Sequence, residues 1–322
     1  MASSLLKLGF DVERTLGEGG FGCVVLVSNP LRAIKVIERG DAQAEVSFMK
    51  KLQHRNIVQF YDSFCLEATT AIVMEYAANG NVMMELERST KAGLWLEEAA
   101  VLRWISEEVT AVGYMHGLGI LHRDIKNENF LIAGDGRLLL TDFGASIQLG
   151  TAQEVIEGAH IGTLLYMAPE ICGKKVAKYS IASDMWALGC SFFEMMSGGS
   201  PPYLTADESK LRVVICTEKL VDADGPFAPE MKDLCRDMLS RKPAKRPHTE
   251  AVLHSLPRSA PDWSSFFPQV EVKQHDWGWF FPTVEEEAIQ KSSCGFGNIT
   301  EHVRKAMISW IGDVASKTLP SG

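Results

Sequence analysis

Along the first third of the chain, apolar residues fall in short runs bounded by Gly, Pro, Asn or Asp, the pattern of strands. This predicts strands over residues 10–16, 22–27 and 32–37, and two more over 57–61 and 71–76. Between them the period lengthens. Val46, Met49 and Leu52 share one side of a predicted helix over residues 42–52, with Asp41 placed to cap it. Asn79-Gly80-Asn81 interrupts the pattern. Beyond it helical periodicity dominates, led by an amphipathic helix over 96–116 that stops at Gly117. Apolar runs at 130–132 and 138–140 flank Gly134-Asp135-Gly136 and predict a short hairpin. The chain therefore reads as an α+β protein of two lobes. A small β-rich lobe spans 10–76, a hinge lies at 75–80, and a larger, mostly helical lobe spans 80–256. Residues 1–9 are an N-terminal extension, and a tail follows over 257–322.

Composition narrows the class without changing the architecture. The 322 residues suffice for a well-buried core, and 46% hydrophobic with 23% charged residues is a globular balance. A net charge of −9 argues against nucleic acid or an anionic membrane as a partner. Seven cysteines, scattered and without a CxxC pair, suit free thiols in a reducing compartment. The N-terminal residues lack the apolar core of a signal peptide, and Ala2 excludes N-myristoylation. No apolar run approaches the ~18 residues of a membrane span. The expectation is a soluble, cytoplasmic protein.

The candidate chemistry lies within residues 122–144. A hairpin as short as 130–140 holds its two flanking loops side by side, so Asp124, Lys126, Asn129 and Asp142 should converge. Two carboxylates and an amide oxygen suit a hard cation such as Mg²⁺, which in turn wants a phosphate nearby. A phosphate-binding candidate stands at Gly17-Glu18-Gly19-Gly20-Phe21-Gly22-Cys23-Val24, where glycines permit close backbone approach. A dinucleotide loop of this kind should run into a helix; this one runs into a strand. A plain hairpin turn remains the alternative for the segment alone. Lys35, amid apolar strand residues, is either outward-facing or paired with an acid, and Glu45 is the one acid within the following helix.

With these pieces in place, the sequence resembles a eukaryotic protein kinase over residues 10–256. The resemblance rests on the glycine loop, Ala33-Ile34-Lys35, Glu45, His122-Arg123-Asp124-Ile125-Lys126-Asn127-Glu128-Asn129 and Asp142-Phe143-Gly144. It extends through Gly162-Thr163 to Ala168-Pro169-Glu170, Asp184-Met185-Trp186 and Arg246-Pro247. It implies ATP as co-substrate with Mg²⁺, Mn²⁺ being the alternative ion, and transfer to protein Ser/Thr hydroxyls. Gly17, Gly19, Gly20, Phe21 and Gly22 would cover the phosphates. Lys35 would touch them and pair with Glu45. Asn129 and Asp142 would hold the metal, and Asp124 would be the catalytic base. Lys126 and Thr163 imply Ser/Thr rather than tyrosine specificity. Leu16, Val24, Ala33 and Leu131 would sandwich the adenine, with Met74 as gatekeeper and Glu75 and Ala77 offering backbone bonds. Met49, Phe60, His122 and Phe143 would stack as a spine. Glu170 would pair with Arg246, and Asp184 would brace the catalytic loop. Within the kinases, the texture resembles the never-in-mitosis-related or the mitogen-kinase-kinase-like groups.

Several positions depart from the family's pattern. Lys35 and Glu45 are only ten residues apart, so the helix bearing Glu45 should lack its first turn. Arg123 is of the type that binds a phosphate on the activation segment, yet the usual acceptor position is Ala159. Glu157 or Glu154 is therefore expected to pair with Arg123, the other reading being solvent-facing acids. Ser146 and Thr151 are the remaining acceptors. Glu128 and Glu194 match positions that receive basic residues upstream of the phosphoacceptor, while Asn81 stands where strongly basophilic kinases carry an acid. A mild Arg/Lys preference follows. Asn127 replaces a more usual proline and is expected to matter little.

The tail carries Trp263, Phe266, Phe267, Trp277, Trp279, Phe280 and Phe281, too aromatic for a simple disordered segment. Helices are predicted over 284–291 and 299–315. The tail either packs on the kinase body or docks a regulatory partner, and a monomer is expected. The alternative to an active enzyme is a silent pseudokinase serving as a scaffold.

Overall fold

A computed structural model describes residues 5–6, 8–19, 22–38, 42–66, 69–150, 154–173 and 175–256. The predicted tail helices, Asp41, Gly20, Phe21 and Thr151 lie outside the described residues. Both lobes belong to the unit that begins at Phe10, and the residues ahead of it belong to a separate unit.

The small lobe is one five-stranded antiparallel sheet built from β1 (Val12–Gly19), β2 (Gly22–Ser28), β3 (Leu31–Ile37), β4 (Phe60–Leu66) and β5 (Thr69–Met74). Its spatial order is β1-β2-β3-β5-β4. Register fixes which residues face the cleft together: Val24 lies opposite Lys35, and Ala33 lies opposite Met74. Between β3 and β4 runs α1 (Ala42–Lys51), which buries Val46, Phe48 and Met49 and carries Glu45 in its first turn. Its acid-first, Lys50-Lys51-last charge order suits the helix dipole.

The strand predicted over 57–61 begins instead at Phe60. Ile57 bridges to Leu140, and the Val58 amide donates to the Leu140 carbonyl at 3.0 Å. These residues pair with the hairpin over residues 130–140 in the other lobe, because an apolar run takes whichever edge is within reach.

In the large lobe, α2 (Val82–Lys91) is capped by Asn81, whose side chain accepts from the Met84 amide at 2.9 Å. The long predicted helix is α3 (Glu98–Gly117). After it come β6 (Ile120–Leu121), the hairpin β7 (Phe130–Ile132) and β8 (Leu138–Leu140), and β9 (Ile147–Gln148), which pairs with β6. Further on, β10 (Ile156–Gly158) and β11 (Ala177–Tyr179) pair on either side of α4 (Pro169–Cys172). The axis of the lobe is α5 (Ile181–Met196), which is apolar around nearly its whole circumference and buried from Ser183 to Met196. Around it lie α6 (Leu211–Thr217), α7 (Pro229–Met238) and α8 (Thr249–Ser255). Arg246 locks this lobe: its guanidinium, fully inaccessible to solvent, forms a fork on Glu170 at 2.6 and 2.8 Å. Among the described residues no helix is long and apolar enough to cross a membrane.

Candidate active site

The first cluster hangs on the sheet and α1. Lys35 Nζ donates to Glu45 Oε1 at 2.7 Å and to Asp142 Oδ1 at 2.8 Å. Burial works against the Lys35 charge, but the two carboxylates outweigh it and raise the ammonium above its usual value. Asp142 shows the mirror effect, since Lys35 outweighs burial and holds its carboxyl below the usual range. Glu45 is more deeply enclosed, and there burial wins and pushes the carboxyl up. The short 35-to-45 connection thus leaves the ion pair intact, with Glu45 in the first turn.

The second cluster sits on the loop before the hairpin. Asp124 Oδ1 accepts from the amide and hydroxyl of Thr163 at 2.9 and 2.8 Å. Asp124 Oδ2 lies 3.0 Å from Lys126 Nζ, which also donates to Thr163 Oγ1 at 2.8 Å. Asn129 directs its amide nitrogen at the Asp124 carbonyl, 2.7 Å away. This orientation leaves Asn129 Oδ1 for another partner.

Backbone strain marks the same loops. Arg123 (φ 66°) and Asp142 (φ 65°) are the described non-glycine residues in the left-handed region. Asp184 imposes the first: its buried carboxylate accepts the amides of His122 and Arg123 at 3.0 and 3.1 Å and meets His116 Nε2 at 2.9 Å. Burial opposes the Asp184 charge, but His116 and these donors outweigh it and hold the carboxyl low. Two glycines are required by close approach. A Cβ on Gly22 (φ 147°) would meet the Val36 carbonyl oxygen at 1.9 Å, and one on Gly162 (φ 99°) would meet that of Arg123 at 2.4 Å.

A cavity of about 890 Å³ joins the clusters. Gly17, Gly22, Val24, Lys35, Glu45 and Asp142 line it from one side, and Asp124, Glu128, Asn129 and Gly162 from the other. Leu16, Ala33, Met74, Glu75, Ala77 and Leu131 lie beyond this lining, on or next to the strands that continue from it. Gly19 closes the β1–β2 turn opposite Gly22. Of the expected spine, His122 and Phe143 meet edge-on at 5.4 Å, and Met49 is buried nearby in the same core.

Three expectations require correction. Arg123 does not take Glu157 as partner. Its Nε donates to the Ala145 carbonyl at 2.5 Å, and its guanidinium lies 5.2 Å from the Tyr179 ring centroid. Glu157 instead reaches Lys178 across the β10–β11 pair at 2.8 Å, because the register sets those two residues opposite each other. Glu154 turns back onto the amide of Gly150. Both partners of the Glu157–Lys178 pair are about half exposed. Glu157→Ala is therefore expected to change unfolding free energy by less than about 1 kcal/mol in a denaturant titration.

Glu194 cannot receive a substrate side chain from where it lies. It is 2% exposed and accepts Tyr166 Oη–H at 2.5 Å and Asn127 Nδ2–H at 2.8 Å. Glu128 remains exposed, with Tyr166 Oη 3.3 Å away.

Asn127 also carries more than expected. It is fully buried, and its Oδ1 lies 2.7 Å from Ser191 Oγ, which in turn lies 2.9 Å from Glu108 Oε2. Asn127 gives its N–H to Glu194, so its Oδ1 must accept the one Ser191 hydroxyl proton. Glu108 is then the donor to Ser191, a protonated acid, in keeping with the strong upward push of its complete burial. A chain of polar groups thus ties the loop before the hairpin to α3 and α5 where the sequence pattern promised only a proline substitute. The sequence signal was the coincidence of Glu108, Ser191 and Glu194, polar residues at positions that the helical period assigns to the core.

Burial raises Glu194 to about 7, against the lowering by Tyr166 and Asn127. Its folded form therefore holds a proton that the unfolded chain has lost. Its contribution is full below about pH 4.5 and falls as pH rises towards 7. Glu194→Gln lacks this titration. Its unfolding free energy relative to wild type should rise by roughly 2–3 kcal/mol from pH 5 to pH 8 in urea melts. A constant difference across that range would refute the assignment.

A family model of the protein kinase domain matches residues 10–256. Among curated proteins, the chain is similar to the serine/threonine-protein kinase Nek3 of Mus musculus, 31% identical over 253 residues, 76% of this chain and 48% of the relative. It is also similar to Nek9 of Xenopus laevis, 32% identical over 260 residues, 77% of this chain and 27% of the relative. A probable serine/threonine-protein kinase nek3 of Dictyostelium discoideum is 29% identical over 259 residues, 76% of this chain and 23% of the relative. The chain thus spans less than half the length of these relatives, all of the never-in-mitosis-related kind. The matched span encloses both side-chain clusters and the cavity between them: the chain belongs to the protein kinase family.

Proposed function

We propose that this chain is an ATP-dependent serine/threonine-protein kinase that transfers the γ-phosphate of ATP to protein hydroxyls. One observation carries the reading. A lysine fixed between two carboxylates and an aspartate fixed by Lys126, Asn129 and Thr163 line the same cavity. The volume, about 890 Å³, is that of a small-molecule site. The relatives' names point the same way.

The donor set suits a hard dication. Asp142 is held ionised, and Asn129 keeps its amide oxygen free of the loop's own bonds. Mg²⁺, or Mn²⁺ with the same oxygen ligands, would neutralise charge on the triphosphate there. Lys35, oriented by Glu45, places a fixed positive charge for the phosphates. The glycine backbone between β1 and β2 lets them approach closely. Asp124 Oδ1 is saturated by Thr163, which directs Oδ2 to the substrate hydroxyl. There it orients the nucleophile and accepts its proton. Lys126 stands beside that oxygen to balance charge on the incoming phosphoryl group. Positioning and electrostatics supply most of such catalysis.

With Glu194 enclosed, Glu128 alone of the two expected acids is left to read an upstream basic residue, so the Arg/Lys preference is weak. Labelled ATP with a generic protein substrate tests the whole reading, with wild type compared against Asp124→Asn and Lys35→Met. Transfer by wild type and its loss in both variants is expected. Equal signal in all three would refute the mechanism, and no transfer by wild type would leave a silent scaffold.

A further inference from the structure

Cys172 ends α4, immediately after the segment that holds Thr163 against Asp124, and Cys216 lies near the end of α6. Their sulfurs are 3.8 Å apart, although the residues are 44 apart in sequence. Cys172 is buried and Cys216 half-buried, so Cys216 is the less enclosed residue of the pair. A Cβ on Gly173 would come within 2.8 Å of Cys216 Sγ, so the residue beside Cys172 has to be as small as glycine for the second sulfur to approach. None of this is used by the phosphoryl-transfer machinery.

We propose that Cys172 and Cys216 form a redox modification site. A hydroperoxide closes them to a reversible disulfide, and this crosslink weakens binding of the protein substrate. Cys216 Sγ, on the less enclosed residue, attacks the hydroperoxide first. Its O–O bond breaks, an S–O bond forms, and water or an alcohol leaves. Cys172 Sγ then displaces the hydroxyl from the resulting sulfenic acid. The S–S bond forms, the S–O bond breaks, and the hydroxyl leaves as water with the Cys172 proton. Two thiols lose two electrons and two protons, and the peroxide takes up both. Burial and the adjacent sulfur push the Cys172 thiol up to about 12, so it is a poor first target. Its contact with Cys216 compensates, since a partner already in place reacts at a very high effective concentration.

Disulfide geometry needs sulfurs about 2.05 Å apart, so the 3.8 Å gap has to close by rotation of the two side chains, and the bond then ties α4 to α6. The segment from Gly162 to Ala168 leads directly into α4, whereas the Lys35 cluster lies on the other side of the cavity. The expected signature is a several-fold rise in KM for protein substrate with KM for ATP unchanged. That kinetic part rests on the kinase reading. The crosslink itself does not.

The test uses the full, reduced chain treated with hydrogen peroxide, then alkylated, digested and mapped by mass spectrometry. A Cys172–Cys216 linked peptide should dominate the disulfides formed, vanish with dithiothreitol and be missing in Cys216→Ser. Cys172→Ala should likewise prevent it and leave Cys216 as a sulfenic acid, which a dimedone probe captures. Cys65→Ser should leave the link intact. Stable sulfenic or sulfinic acid on Cys216 in wild type without the crosslink would overturn the site. So would equal KM for protein substrate in oxidised and reduced wild type. An enzyme inactive in both states, yet crosslinked, would indict the kinase reading and leave the thiol pair standing.

Discussion

Asp124→Asn is expected to lower the rate of phosphoryl transfer by about 10²- to 10⁴-fold, the usual worth of a positioned acid–base group. KM for ATP should stay within about threefold, because Asp124 touches the Lys126–Thr163–Asn129 cluster and not Lys35. The substitution is nearly isosteric. An Asn carbonyl oxygen can still accept from Thr163, which holds the loop, while the second oxygen becomes an amide nitrogen that can neither take a proton nor accept from Lys126. Steady-state assays with labelled ATP, run beside thermal melts, separate lost chemistry from lost fold. A fall below tenfold in a folded variant would remove Asp124 from the role of base. Lys35→Met should act differently. It strips the partner from Glu45 and Asp142 together, so both KM for ATP and kcat should suffer.

Arg246→Ala is expected to destabilise the large lobe by about 3–5 kcal/mol, the cost of breaking a buried ion pair from one side. The Arg246 side chain is fully inaccessible, and its N–H groups reach the Glu170 carboxylate and the carbonyls of Ala182 and Ser240. It also lies 5.0 Å from the Trp186 ring centroid. Truncation leaves two carbonyls and a carboxylate without their donor and opens a void beside Trp186. Glu170 retains 17% side-chain exposure, so water can relieve part of its loss and the lower end of the range is favoured. Urea denaturation measures the change, and Arg246→Lys, keeping charge without the fork, should recover only part of it. A loss under about 1 kcal/mol would show that the pair is not a lock.

Both effects depend on residues that no local pattern joins. Glu170 and Arg246 are 76 positions apart, and Lys35 and Asp142 are 107 apart. The resemblance to protein kinases predicted the pairing of Lys35 with Glu45 and that of Arg246 with Glu170, because ordered motifs carry a known arrangement with them. The short connection from Lys35 to Glu45 kept its pair, but two assignments of acids did not hold. Charge alone points Glu157 or Glu154 at Arg123, whereas the strand register gives Glu157 to Lys178 and Glu154 bonds the Gly150 amide. Glu194 was assigned to a substrate by position alone, and the buried Asn127 and Tyr166 turned it inward. The thiol pair likewise could not be foreseen from a scattered set of cysteines.

The two-lobed α+β order, the hairpin and the residue types of the site are all legible along the chain. They follow from periodicity, turn residues and motif spacing, which act over a few neighbouring positions. The partners of the charged and polar groups are not legible there; folding in three dimensions sets them. A carboxylate takes the nearest donor that burial leaves it, and that donor is chosen by strand register and helix packing, which bring together positions far apart in the chain.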